Sequence, residues 1–97
     1  MTGKQKRYLR KLAHSLKPLV NIGKQGLSPE NNREIKNQLL DHELIKLKVL
    51  DSCILSKKDC VNELSKIKDL DVVQLIGKTI VLFSPHPDDP KIKLPAS

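Results

Sequence analysis

Aromatic side chains are nearly absent from this chain: among 97 residues there is one tyrosine, Tyr8, one phenylalanine, Phe83, and no tryptophan. A protein that stacks several nucleic-acid bases on an aromatic sheet is therefore not expected. Cysteine is also scarce. Cys53 and Cys60 fit no common zinc spacing and have no second Cys or His pair beside them, so ordinary reduced thiols and no bound metal are expected. Long apolar runs are missing. No segment approaches a membrane span, and no apolar stretch follows the basic N-terminal residues as in a secretory signal; a cytoplasmic protein is expected. A chain of this length makes one domain with a modest core, leaving little volume for a deep catalytic cavity.

Negative charge is missing from the first quarter of the chain. Residues 1–26 carry Lys4, Lys6, Arg7, Arg10, Lys11, Lys17 and Lys24, and the first acidic residue is Glu30. Beyond residue 26 the charges balance, so the whole net charge of +7 resides in that opening segment. Solubilising surfaces usually mix signs. A one-sided excess points to a polyanionic partner.

Local signals order the chain. Thr2 and Gln5 have the spacing of a capping box, and Leu9, Leu12, Ala13 and Leu16 recur at helical spacing, predicting a helix to about Leu16. Lys4, Arg7 and Lys11 fall on its opposite face, with Arg10 and His14 beside them. Like charges so spaced cost an isolated helix a few tenths of a kcal/mol per pair, a cost that a bound anion would remove. Pro18 stops the helix, and Leu19 to Ile22 reads as a short buried strand. Ser28-Pro29-Glu30 is a strong helix start, and the second helix runs to about Asp41 with Ile35 and Leu39 inward. From Leu44 to Leu50, Ile45, Leu47 and Val49 alternate with Lys46 and Lys48, a strand with one wet face. Ser56 opens a third helix carrying Cys60, Leu64 and Ile67. Val72–Ile76 and Thr79–Phe83 flank Gly77-Lys78, a pair suited to a type II′ hairpin.

The expected fold is thus α/β, of the α+β two-layer type: α-β-α-β-α-β-β with a mixed four-stranded sheet, parallel crossovers and a final antiparallel hairpin. Residues 1–84 form the domain. Residues 85–97, within a stretch from Ser84 that holds four of the six prolines, are expected to be an extended or mobile tail.

One loop invites a chemical reading. Gly23-Lys24-Gln25-Gly26 lies between a strand and a helix N-terminus. Glycines allow a sharp turn and close backbone approach, the helix amides favour an anion, and KH domains clamp RNA backbone with a GxxG loop. A plain turn is the competing reading. It is neither a Walker loop nor a dinucleotide fingerprint. Catalysis finds little support. His14, His42 and His86 are scattered, and neighbours such as His42 and Glu43 in a strand would point to opposite faces. His86-Pro87-Asp88-Asp89 is similar to a metal-binding motif of some zinc deacetylases, but it lies here in the tail with no room for further ligands. No enzyme activity, cofactor or small-molecule substrate is expected. A monomer is expected, because no large apolar seam is visible.

The blocks Thr2–His14, Leu16-Lys17-Pro18, Ile22–Ser28, His42–Lys46 and Gln74–Thr79 together resemble the CRM domain (chloroplast RNA splicing and ribosome maturation), in its stand-alone bacterial YhbY-type form. The resemblance covers nearly the whole chain. It implies a fold similar to the C-terminal domain of translation initiation factor 3, an RNA-contacting GxxG loop, and association with precursors of the large ribosomal subunit. Members often carry Tyr-Arg where this chain has Phe83-Ser84, and the segment Asp59 to Asp71 is short for the family. The expected RNA-binding residues are Lys4, Arg7, Arg10, Lys11, His14, Gly23, Lys24, Gln25 and Gly26, with Lys46 and Lys48 extending the surface across an open sheet face. The alternative is a protein–protein adaptor whose basic face meets acidic partners on a ribosomal assembly.

Overall fold

In the computed structural model, which describes residues 1–96, three helices and four strands alternate in the expected order. Helix α1 spans Gly3–Ala13 and opens on the reciprocal capping box: the Gln5 amide donates to Thr2 Oγ1 at 3.2 Å, and the Thr2 amide donates to Gln5 Oε1 at 3.1 Å. The helix stops short of Leu16. Only Leu9 and Ala13 reach the core, while Leu12 and Leu16 stay more than a third exposed, so no burial holds a further turn in place. Strand β1 (Val20–Ile22) leads to α2 (Pro29–His42), which starts at Ser28 with its hydroxyl accepting from the Asn31 amide at 3.2 Å. Then come β2 (Leu44–Val49), α3 (Lys57–Ser65), β3 (Asp71–Ile76) and β4 (Thr79–Phe83).

The sheet order is β1-β2-β4-β3. β1 runs parallel to β2, and β4 is inserted antiparallel to both β2 and β3. Both helical crossovers therefore connect parallel strands, the second one spanning β4. Gly77 takes φ 55° while Lys78 stays out of the positive-φ region, a combination that fits type II′ rather than type I′.

The layering differs from expectation. β4 is apolar on both faces: Ile80 and Leu82 join Ile35 and Leu39 of α2 and Cys60 and Leu64 of α3, whereas Val81 and Phe83 join Leu9 and Ala13 of α1. α1 thus forms a partial third layer on the face expected to be open. Its cover ends part-way along β2. Leu44 is buried under it, Lys46 is half-buried and Lys48 is exposed.

The stretch after β4 is extended and braced. Ile92 and Leu94 pack against the α1 cluster. The carboxylate of Glu43, only 4% exposed, accepts from the amides of His86, Lys91 and Ile92 at 2.9–3.0 Å. Glu43 follows α2 at a positive φ of 64°, and its amide donates to the Leu39 carbonyl at the helix end. Its backbone carbonyl accepts from the Ser84 amide at 2.8 Å. Glu43 is therefore structural. His86 is occupied locally, its Nδ1 accepting from the amides of Asp88 and Asp89 at 3.1 and 3.0 Å.

Candidate nucleic-acid interface

The loop Gly23–Gly26 is a closed turn: the Gly26 amide donates to the Gly23 carbonyl at 3.0 Å. Lys24 and Gln25 stand at its exposed tip. Gly26 takes φ 65° and is buried; a Cβ there would lie 3.3 Å from Ile54 and Leu55, which back the loop. A Cβ at Gly23 would meet its neighbours at ordinary contact distances of 3.7–3.8 Å. The two glycines thus differ: the fold requires Gly26, whereas Gly23 has room for a side chain.

The amides at the start of α2 offer less to an anion than the sequence suggests. Pro29 has no N–H, the Asn31 amide is taken by Ser28, and the Asn32 amide donates to the Ser28 carbonyl. Asn31 also donates its side-chain amide to the Gly26 carbonyl at 2.7 Å, stapling turn to helix. Lys24 and Gln25 are left as the loop's outward groups.

On the α1 side, Lys4, Arg7, Arg10, Lys11 and His14 are all exposed. Among the described residues, ion pairs join only Lys66 to Glu63 and Lys78 to Asp51. The cations of α1, Lys24, Lys46 and Lys48 have no carboxylate partner among the described residues. Arg10, Lys11, His14 and Lys46 come together around one cleft of about 520 Å³ between the end of α1 and the sheet. The Lys46 amine donates to the His14 carbonyl at 3.5 Å, a favourable placement of a cation at a helix C-terminus. Lys48 lies one pleat further along the same face, level with Asn21 of β1 and Thr79 of β4. The glycine turn begins two residues after Asn21, at this same end of the sheet. Lys4 is set apart, in the first turn of α1 and roughly three turns from His14. Sequence reasoning did not single out Gln74, Ile76 and Val81, which complete the cleft. Their shared face depends on a bulge in β3 that periodicity does not reveal.

Comparison with known proteins places this geometry. The model of the CRS1/YhbY (CRM) domain matches residues 1–84. The chain belongs to the CRM family. It is 41% identical over 95 residues to "Probable RNA-binding protein YqeI" of Bacillus subtilis, covering 98% of this chain and 99% of that one. A Haemophilus influenzae protein named "RNA-binding protein" is 39% identical over 95 residues, covering 98% and 95% of the two chains. The solution structure of the Staphylococcus aureus protein SAV1595 has the same fold, with a TM-score of 0.80 at 40% identity, covering 98% of this chain and 99% of that one. The CRM domain and its YhbY-type form, expected from the residue blocks, are thereby established.

Proposed function

We propose that this protein binds RNA, specifically ribosomal RNA in precursors of the large subunit, and assists their assembly without catalysis. Residues 1–84 carry the binding unit, and the proline-rich stretch that follows braces it through Glu43. One observation carries the reading: the cations of the C-terminal half of α1, Lys46 and Lys48 converge on one face without carboxylate partners among the described residues, and the glycine turn bearing Lys24 opens at the end of that face. The names of the YqeI and Haemophilus relatives support RNA as the partner.

Phosphate contacts supply most of the affinity in this account, since the chain has no aromatic platform. Lys24 and Gln25 approach the backbone at the turn. Arg10, Lys11, His14, Lys46 and Lys48 follow it across the sheet. Lys4 and Arg7 extend the contact along α1. The setting is the cytoplasm, and the protein acts as a monomer.

The test is binding to large-subunit rRNA fragments by wild type and by a Lys24→Asp, Gln25→Asp double variant, whose exposed substitutions leave the fold intact. The double variant is expected to bind at least tenfold more weakly, a loss of about 1.4 kcal/mol. Equal binding would reduce the loop to a plain turn. Recovery of the protein from nuclease-treated extract separates the adaptor alternative: an RNA binder loses its large-subunit partners and an adaptor keeps them.

A further inference from the structure

The cleft under the end of α1 is built for more than phosphate. Its lining joins the cations Arg10, Lys11 and Lys46 to His14, the Gln74 amide and the apolar side chains of Ala13, Ile76 and Val81. Among the described residues, no carboxylate lines it. At about 520 Å³ it lies within the range of small-molecule sites, roughly 300–1,000 Å³.

A backbone irregularity creates this lining. Along β3, Val72 pairs with Leu82, but the next register pair is Gln74 with Val81. Val73 is the extra residue of a bulge. Val73 packs into the α1 cluster, so uninterrupted alternation would send Gln74 and Ile76 to the opposite face, into the α2–α3 core. The bulge instead turns both toward α1, while Leu75 takes its place among the residues packed on the other core. Bulges recur where a strand must re-aim a side chain toward a site. Ile76 is left 57% exposed on the cleft wall, and the Gln74 amide keeps one donating and one accepting end.

We propose that this cleft takes up one unpaired nucleotide of the bound RNA, its base resting against Ile76, its edge read by Gln74 and its phosphate held by Arg10 and Lys46. This rests on the RNA-binding reading above and adds a requirement to it. A base within a duplex has no free face or pairing edge, so only a bulged, looped or terminal nucleotide can enter. A side-chain amide matches the donor–acceptor pair of adenine, and the exposed Ile76 side chain supplies the apolar face that missing aromatics would otherwise provide.

The test compares two hairpin RNAs identical except for one unpaired adenosine. Wild type is expected to favour the RNA with the unpaired base by about tenfold, in keeping with the contribution of one stacked base. Gln74→Leu keeps the size and removes the amide; Ile76→Ser removes the apolar wall at an exposed position. Both are expected to fold as wild type does and to bring the two affinities within about twofold, with binding of the fully paired RNA unchanged. A Lys24→Asp control should weaken both RNAs in parallel. The Gln74 side-chain amide resonances should shift with the unpaired-base RNA alone.

Equal binding of the two RNAs by wild type overturns the nucleotide pocket and leaves RNA binding standing, as does a parallel loss for both RNAs in the Gln74 and Ile76 variants. If adenosine monophosphate shifts the Gln74 resonances as strongly as the RNA at equal concentration, the cleft serves a free nucleotide and the proposal fails. If wild type binds neither RNA, the RNA-binding reading falls and takes this proposal with it.

Discussion

The amine of Lys46 reaches the backbone carbonyl of His14 at 3.5 Å, linking the centre of β2 to the end of α1. This contact sets the cleft rim and keeps an ammonium group beside Arg10 and Lys11. Lys46→Ala is therefore expected to weaken RNA binding across sequences and to lower the salt slope by about one phosphate's worth. Titrations at several salt concentrations measure both effects; an unchanged slope would remove Lys46 from the interface.

The two loop glycines should separate in a stability measurement. Gly26→Ala places a side chain at φ 65° and 3.3 Å from Ile54 and Leu55. It is expected to cost about 1–3 kcal/mol. Gly23→Ala meets only ordinary contacts and should leave thermal stability nearly unchanged. Any loss of RNA affinity in the Gly23 variant then reports backbone approach by the ligand.

Glu43 should make stability depend on acid. Desolvation by burial pushes its carboxyl up, but the amides of His86, Ile92 and Lys91 and the charge of His86 outweigh that and hold it below the usual glutamate range. A depressed folded-state value means the contribution is complete above the unfolded value of about 4.3 and is lost as pH falls from there through the folded value. Glu43→Gln should be less stable than wild type at neutral pH, by on the order of 2 kcal/mol for weakened bonds to a charged acceptor. The gap should narrow as pH falls below about 4. Denaturant unfolding across that range checks it; a pH-independent gap would contradict the assignment.

How far the sequence reveals this molecule depends on the range of each interaction. Thr2 with Gln5, Ser28 with Pro29, and Gly77 with Lys78 are local signals, and each sits in the structure where its chemistry suggests. The parallel crossovers and the final hairpin also follow from the alternation of elements, whereas the insertion of β4 between β2 and β3 does not. Legibility ends where long-range packing decides. Thr79–Phe83 reads as a β-rich run, but nothing local says that Val81 and Phe83 face α1. The role of Glu43 depends on amides more than forty residues away. The bulge at Val73 changes which side chains reach the cleft, and a residue-by-residue pattern in β3 does not mark it. For the interface, the charge asymmetry identified the cations, but their gathering at one end of α1 depends on the sheet beneath.

The central claim is that phosphate contacts by this basic face hold RNA. Its most direct test is the affinity for large-subunit rRNA fragments as a function of salt. Neutralising about five phosphates predicts a loss on the order of a hundredfold between roughly 50 and 200 mM salt. A flat profile over that range would contradict the account.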